Sequence, residues 1–469
     1  MLHVGLEIHG YINSKEKLFC SCKAIHGAKY SKPNTNICPT CTAQPGAKPM
    51  TPNKIAVDKA IQIALILECK INKKLIWQRK HYDWPDLPKG YQNTLSGPHA
   101  IPVGEKGKFL GIEITECHLE EDPAAWNPKT GEIDYNRSGS PLIEIVTEPD
   151  FTSSEQVIEW LKQLLVILSY IKAIDKNAGI KADVNVSISG GAERFRGSKK
   201  NKSSITRAES GVRVEIKNIN SLKKIKKAIE HEFQRQKKEK PKEQETRMFD
   251  DDKGITKLMR TKEQAQDYRF ISDPDLPIIQ IKNSEVKKLK SQLPETPNTK
   301  LDKLIKKYKI PERNAKILTK KLEIVEFFEK IIEKTNPDLA VRWVTEELLS
   351  VLNYNKKELD EIDLKPEHFI ELLKLIEQNK ITELKAKEIL RGWKEKSSSP
   401  KSKSHEQISD SGEIEKIVKT VIKEHPKAVA DFKKGEQKSL NFLIGQVMRL
   451  TEKRADYKTT RGILERILN

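Results

Sequence analysis

The sequence has no long hydrophobic run. Nowhere do about 18 apolar residues follow one another, as a membrane-spanning helix requires. The first residues also lack the basic and then apolar order of an export signal. We therefore expect a cytoplasmic protein that spans no membrane and carries no export signal.

Acidic residues are in short supply. The 469 residues include 67 Asp and Glu against 86 Lys and Arg, which leaves a net charge of +19. Such a surplus favours a polyanionic partner, nucleic acid first and a membrane surface second. The alternative is that the excess is surface lysine with no binding role. A chain of this length is expected to form two or three domains.

Cysteine is also scarce, but four of the six cysteines lie within 22 residues: Cys20, Cys22, Cys38 and Cys41. Two close pairs can deliver four thiolates to one tetrahedral site, which predicts a structural zinc ion. An iron–sulfur cluster uses the same ligands, and disulfides are a third interpretation that a reducing compartment disfavours.

Polar and branched apolar residues alternate in the segment that begins at Val4. Read as a strand, it turns Glu7 and His9 away from Leu6 and Ile8. A carboxylate and an imidazole about 7 Å apart on one strand face can share a divalent cation or a phosphate-bearing ligand. A strand with its polar face in water is the alternative.

The same alternation returns at residues 110–122, 141–150, 181–188 and 213–218. Five such strands predict a largely antiparallel sheet with helices on its apolar face and an open, polar cradle on the other. We expect the cradle to display these side chains: Glu7, His9, the acids of residues 118–122, Asp183, Asn185 and Glu215. Adjacent carboxylates repel unless a cation neutralises them, so Glu120 and Glu121 favour a Mg²⁺ site over a solvated acidic turn.

Three further segments carry residues suited to anionic ligands. Residues 79–92, broken by two prolines and a glycine, are predicted to form a rigid loop that presents Lys80 and Lys89. Residues 190–210 are rich in Gly, Ser, Lys and Arg and predict a flexible basic loop. Later arginines fit bidentate recognition of a carboxylate or of phosphate, as in ATP: Arg247, Arg260 and Arg269.

The pattern changes to short amphipathic helices after about residue 293. We predict an α+β protein: a cradle domain with the cysteine knuckles (1–292), an all-α domain (293–395), a linker (396–404) and a small all-α tail (405–469). A small basic domain on a flexible linker is typical of a module that binds a large anionic partner. The alternative is a helical bundle that is simply appended to the chain.

Taken together, the motifs resemble the B subunit of the tRNA-dependent amidotransferases (GatB) over nearly the full length. The segments that carry the resemblance are Val4 to His9, Cys20 to Cys41, PDLPKGYQ (85–92), HLEED (118–122), PLIEIVTEPD (141–150), VEIKNINS (214–221), QETR (244–247), DYRF (267–270), PDLP (274–277) and Asn441 to Met448.

The resemblance implies an enzyme that uses ATP and Mg²⁺ to phosphorylate the side-chain carboxylate of mischarged Glu-tRNA(Gln) or Asp-tRNA(Asn). Ammonia from a separate GatA-type amidase subunit, in a heterotrimer with a small C-type subunit, then displaces the phosphate. The sequence itself shows no Ser or Ser-Lys amidase signature.

By position, the resemblance assigns the metal and catalytic cluster to Glu7, His9, Glu121 and Asp183, with Glu120 able to exchange roles with Glu121. It assigns Lys80 and Lys89 to the place where the ammonia path reaches that cluster.

Three departures from the family pattern are visible, one of which is His81, which stands where an aromatic residue or Asn usually follows Arg-Lys. Lys181-Ala182-Asp183-Val184-Asn185 stands where Arg-Cys-Asp-Ala-Asn is common, and the loop at 190–210 is longer and more basic. The related archaeal E subunit carries a large inserted domain, whereas residues 293–400 show only helical patterns, which favours the B form. A zinc-bearing tRNA-binding scaffold with an inert site is the alternative function.

Overall fold

The computed structural model describes residues 1–24, 32–175, 178–189, 211–261, 268–401 and 406–468. These residues form two compact units, Met1–Pro294 and Glu295–Asn469. The predicted basic loop at 190–210 lies outside the described residues.

Among the described residues, twelve strands of the first unit form one sheet, and four short strands form two separate pairs. In chain order the strands are β1 (Leu2–Tyr11), β2 (Lys70–Ile71), β3 (Lys74–Leu75), β4 (Gln78–His81), β5 (Tyr91–Thr94), β6 (Gly104–Phe109), β7 (Ile112–Glu121), β8 (Ala125–Trp126), β9 (Ile133–Asp134), β10 (Pro141–Thr147), β11 (Ile180–Ile188), β12 (Val214–Ile219), β13 (Glu245–Asp250), β14 (Ile255–Thr261), β15 (Arg269–Ser272) and β16 (Ile279–Gln280).

The main path of the sheet runs β14-β13-β12-β11-β1-β10-β7-β5-β4-β15, with β6 paired to β7 and β2 paired to β6. Every pair is antiparallel except β12 with β13. The largely antiparallel sheet predicted from the alternating segments is therefore confirmed, and β1 is one of its central strands.

The apolar face of β1 explains where the core lies. Val4, Leu6 and Ile8 are fully buried, whereas Glu7 and His9 on the other face are half-buried. The described helices of this unit are α1 (Lys54–Ile66), α2 (Ser154–Tyr170), α3 (Leu222–Glu239) and α4 (Asn283–Ser291). Val4, Leu6 and Ile8 join a core shared with α1, α2 and α3.

One local prediction was wrong. The segment 79–92 is not a single loop, because its two ends belong to β4 and β5, which pair with each other. The prolines fall between these strands, where no ladder hydrogen bond is lost. Lys80 is consequently held by backbone pairing on both sides, through Gln92 and Phe270.

In the described residues of the second unit, the regular secondary-structure elements are helices. Its helices are α5 (Pro297–Lys306), α6 (Glu312–Leu318), α7 (Leu322–Ile332), α8 (Pro337–Arg342), a π-helical turn (Trp343–Leu348), α9 (Leu349–Asn355), a 3₁₀ turn (Leu359–Glu361), α10 (Pro366–Glu377), α11 (Glu383–Gly392), α12 (Ser411–Glu424), α13 (Pro426–Lys433), α14 (Gln437–Leu450) and α15 (Tyr457–Leu468). Among the described helices of both units, none is long and apolar enough to cross a bilayer.

Residues of the predicted linker pack within this unit. The backbone amide of Ser397 donates to Asp363 O, and its side chain is buried against His368. Helices α12, α14 and α15 share an apolar core of their own. The predicted independence of the tail from residues 293–395 stays a prediction.

Candidate active site

His9, Glu120 and Glu144 meet on the polar face of the sheet. The strand register puts His9 opposite Glu144, and β7 is the next strand beyond β10. His9 Nε2 lies 3.4 Å from Glu144 Oε2 and 3.7 Å from Glu120 Oε1. One imidazole nitrogen and two carboxylate oxygens all within 4.8 Å of one another form a set that can hold a metal ion.

A second imidazole, that of His118, contacts Glu144 of this set. His118 is fully buried, with Nε2 3.1 Å from Glu144 Oε2 and Nδ1 3.1 Å from Glu116 Oε1. Glu144 therefore lies between two imidazoles, and its orientation is fixed by both.

The electrostatics follow from this alternation of charge. Burial opposes the charged form of both histidines, but Glu144 and its neighbours outweigh it and raise the pKa of His9 to about 9 and of His118 to about 10. Burial alone would raise the pKa of Glu144, yet His118 and His9 hold that pKa well below its usual range. Burial and the charge of Glu144 raise the pKa of Glu120. The carboxylate of Glu144 therefore favours its charged form more strongly than that of Glu120 does.

A second group of carboxylates lies on the neighbouring strands. Oxygen atoms of Glu7, Asp183 and Glu215 lie within 4.8 Å of one another, because Glu7 pairs with Asp183 across β1 and β11, and β12 adds Glu215. Lys217 Nζ lies 2.7 Å from Asp183 Oδ2 and 2.6 Å from Glu215 Oε1. Asn185 Nδ2 donates to Glu7 Oε1 at 3.1 Å.

The His9 set borders a cavity of about 560 Å³. Charged and aromatic side chains around it include Lys80, Lys181, Lys217, Arg260, Tyr82, Trp84 and Tyr268. On its wall, Asp122 accepts hydrogen bonds from the Tyr11 hydroxyl at 2.6 Å and from Arg137 Nε at 2.7 Å. Cations and acidic side chains that line one cavity, together with the exposed ring of Trp84, suit a ligand that carries phosphate and a base.

Glu121 does not join this set. It follows Glu120 on β7 and therefore turns to the other face of the strand. There Glu121 Oε1 lies 2.5 Å from Lys89 Nζ and accepts from the Asn93 amide at 2.8 Å. Lys89 is presented by a turn that ends at Gly90, whose φ of +71° favours glycine.

Lys89 and Glu121 line a separate cavity of about 270 Å³, together with Cys20, Cys41 and Phe19. Of the six predicted catalytic residues, the structure therefore places Glu7, His9, Asp183 and Lys80 at the large cavity or the carboxylate group beside it. It places Lys89 and Glu121 apart from them as an ion pair.

The three predicted arginines separate in the same way. Arg260 lines the large cavity, whereas Arg269 is exposed on β15. Arg247 lies in a buried cluster, where its Nη1 is 2.7 Å from Glu245 Oε2. The other members of this buried cluster are Glu232, Arg235, Gln236 and Thr256.

The four predicted cysteines converge: the Sγ atoms of Cys20, Cys22, Cys38 and Cys41 lie within 4.8 Å of one another. Zinc–thiolate bonds of about 2.3 Å in a tetrahedron would put sulfur atoms about 3.8 Å apart, so the donors fit such an ion. The Cys20 thiol, the Cys38 amide and the buried Lys17 ammonium lower the pKa of Cys41 to about 4. Lys17 Nζ donates to Cys41 Sγ at 3.4 Å.

Sequence reasoning missed Glu144 as a member of the His9 set and Lys217 as the partner of the second group. Alternation along β10 and β12 already put both on the polar face. What the sequence did not supply was strand order, which makes Glu144 the direct neighbour of His9.

Residues 2–287 match the family model described as the GatB/GatE catalytic domain. The sheet-bearing unit is thus a catalytic domain of that class. Residues 326–468 match a second model, described as the GatB domain. The chain belongs to the GatB family of amidotransferase subunits, and the prediction of an enzyme of this class is confirmed.

Curated relatives agree along the whole length. A protein of Methanococcus maripaludis (strain C6) is 43% identical over 479 residues, which is 98% of this chain and 97% of the relative. One of Methanocaldococcus jannaschii is 43% identical over 99% of this chain and 97% of its own length. One of Methanothermobacter thermautotrophicus is 41% identical over 99% of both. All three are named as the B subunit of an aspartyl/glutamyl-tRNA(Asn/Gln) amidotransferase.

Proposed function

We propose that the large cavity activates the side-chain carboxylate of Glu or Asp carried on tRNA(Gln) or tRNA(Asn), using ATP. The observation that carries this proposal is the pair of acidic sets at one cavity, facing Lys80, Lys181 and Arg260. Relatives named for this substrate class support the choice of tRNA.

The reaction is a phosphoryl transfer followed by substitution. A carboxylate oxygen attacks the γ-phosphorus of ATP and ADP leaves. Ammonia then attacks the carbonyl carbon of the acyl phosphate, phosphate departs, and the nitrogen loses a proton to give the amide. Catalysis of such a transfer depends on positioning and on neutralising phosphate charge.

The donors present fit Mg²⁺. His9, Glu120 and Glu144 would hold one ion, and Glu7, Asp183 and Glu215 a second, since carboxylate oxygens are its preferred ligands. The Asn185 Oδ1 atom, buried and without a hydrogen-bond partner among the described residues, adds a neutral oxygen beside Glu7. When bound, the ions supply neutralising charge to the phosphate oxygens.

The remaining cavity residues bind and orient. Lys80, Lys181 and Arg260 offer N–H donors to phosphate oxygens or to the substrate carboxylate. Lys80 Nζ lies 4.9 Å from the centre of the Tyr268 ring, which keeps the lysine over the cavity. Trp84, with an exposed ring, offers a stacking surface for adenine.

We infer that ammonia comes from a GatA-type amidase subunit, held with a small C-type subunit in a heterotrimer. The relatives are named as one lettered subunit of a larger enzyme, which supports the presence of partner subunits. The smaller cavity beside Lys89 and Glu121 is the polar entry for ammonia, and a zinc ion on the four cysteines shapes one wall of it.

We propose that the tail at 405–469, together with the excess of surface lysine and arginine, binds the body of the tRNA. Deleting residues 405–469 should weaken tRNA binding and flatten its dependence on salt. If the shortened protein bound tRNA with equal affinity and an equal dependence of that affinity on salt, a tRNA-binding role of the tail would be contradicted.

The test of the proposed chemistry uses Glu120→Gln and Glu144→Gln, with Glu148→Gln as the matched control. Glu148 accepts a hydrogen bond from Thr115 and does not line the cavity. With ATP, Mg²⁺ and ammonium chloride, the first two variants should lose amide formation on mischarged tRNA by about 10³-fold, while tRNA affinity stays within about threefold. The control should keep both.

Unimpaired amidation in both variants would favour the inert tRNA-binding scaffold instead. The ammonia entry has its own test: Glu121→Gln should lose amidation driven by glutamine but keep that driven by ammonium chloride. An equal loss with the two nitrogen donors would contradict an entry role for Glu121.

A further inference from the structure

Lys217 occupies the position of a cation within the second acidic group. Its ammonium lies within 2.7 Å of both Asp183 and Glu215, two of the three carboxylates that converge there. The side chain is partly buried, and both carboxylates raise the pKa of Lys217, so it is charged at neutral pH.

One ammonium does not balance this group. Glu7, Asp183 and Glu215 bring three carboxyl groups against the single charge of Lys217. Burial, and after it the negative charge of Glu144, raises the pKa of Glu7. A divalent ion would balance the group better than a lysine does.

A metal ion and Lys217 need the same oxygen atoms. Asp183 Oδ2 accepts from Lys217 Nζ at 2.7 Å, and Glu215 Oε1 lies 2.6 Å from it. A Mg²⁺ ion binds carboxylate oxygens at about 2.1 Å and would be repelled by an ammonium at that distance. The two cations therefore exclude each other from these oxygens.

The ammonium of Lys217 can leave the acidic group for the large cavity. It lines the large cavity, and its four-carbon stem lets the ammonium turn outwards without movement of β12. Lys80 and Arg260 line the same cavity, where a triphosphate would be bound. A phosphate oxygen there offers the displaced ammonium a new anionic partner.

We propose that Lys217 neutralises the second acidic group until nucleotide binds. Its ammonium then leaves Asp183 and Glu215 for a phosphate oxygen of the nucleotide, and the second Mg²⁺ binds to the carboxylates in its place. This inference rests on the proposed function. It makes Lys217 a positioning residue that couples occupancy of the second ion to the presence of ATP, and thereby prevents a fully loaded metal site without substrate.

The test is equilibrium binding of Mn²⁺ as a probe, followed by the electron paramagnetic resonance of the free ion, on the full-length, zinc-loaded protein. Without nucleotide, the unmodified protein should bind one Mn²⁺, on the His9 set. Lys217→Met should bind two, with affinity for the second ion raised at least 10-fold. Lys217→Arg, which keeps the charge, should bind one.

Lys257→Met is the matched control, because Lys257 is also paired with a carboxylate, that of Asp250, but belongs neither to the large cavity nor to the acidic group. It should bind one ion, as the unmodified protein does. A second ion in Lys257→Met, or no second ion in a folded Lys217→Met, would overturn the inference.

Glu215→Gln keeps the test decisive if Lys217→Met fails to fold. With a non-hydrolysable ATP analogue, Glu215→Gln should bind the nucleotide-dependent Mn²⁺ at least 10-fold more weakly, and unchanged affinity would overturn the inference. Absence of any bound Mn²⁺ in the unmodified protein would instead overturn the proposed function. A second ion that binds equally well with and without Lys217 would overturn this inference but not the proposed function.

Discussion

Replacing Glu232 with glutamine is expected to destabilise the first unit strongly. Glu232 is fully buried on α3 and accepts hydrogen bonds from Arg235 Nη2 at 2.7 Å and from Thr256 Oγ1 at 2.8 Å. Arg247 Nε lies 3.8 Å from the same carboxylate. The glutamine keeps the shape but removes the charge that faces both guanidinium groups.

The expected magnitude follows from what remains. Breaking a buried ion pair costs about 3–5 kcal/mol. Arg235 keeps Glu239 and Glu245 as partners, so we expect the lower end, about 3 kcal/mol. At roughly 2–4 °C per kcal/mol for a unit of this size, the midpoint of thermal unfolding falls by roughly 6–12 °C.

Glu239→Gln is the matched control. It removes a carboxylate from the same arginine by the same substitution, but the Glu239 side chain is 56% exposed. Exposed ion pairs contribute about 1 kcal/mol or less. Differential scanning calorimetry of the two variants would refute the reasoning if their unfolding midpoints fell by similar amounts.

Two further predictions concern the cysteines and the histidines. Cys38→Ser should lower bound zinc, measured by mass spectrometry, and the thermal midpoint of the first unit; full zinc occupancy would contradict the four-thiolate site. Because the folded pKa values of His9 and His118, about 9 and about 10, exceed the ordinary 6.5, their stabilising contribution is complete below pH 6.5 and is lost as pH rises through 9 to 10. Without added divalent ions, the midpoint should thus fall more between pH 8 and 10 in the unmodified protein than in His118→Gln, and parallel curves would contradict this.

Local patterns in the sequence predict the strands well, because alternation reports which side of a strand is buried. Strand β1 is such a case. Its apolar residues Val4, Leu6 and Ile8 alternate with Glu7 and His9, and the structure buries the apolar ones. Alternation says nothing about which strands are neighbours. Glu144 reaches His9 only because residues 141–147 pair with β1, a contact across more than 130 residues.

Adjacent acids show a second limit. Glu120 and Glu121 are chemically equal in the sequence, and only the direction of β7 decides that Glu120 meets His9 while Glu121 meets Lys89. The arginines are similar, since Arg247 and Arg260 both lie on the β13–β14 hairpin but only Arg260 reaches the cavity. Pairing across the whole sheet, rather than local composition, sets these directions.

The place of β1 in the sheet has a consequence for how the protein is made. The strand is complete at residue 11, but both partners that flank it come much later, at residues 141–147 and 180–188. At roughly 5–20 residues per second, a ribosome needs roughly 10–35 seconds to supply them. Until residue 147 has been made, neither edge of this strand has its partner, the situation most prone to wrong pairing between nascent chains. We therefore expect chaperone supply and translation speed between residues 11 and 188 to influence the yield of folded protein.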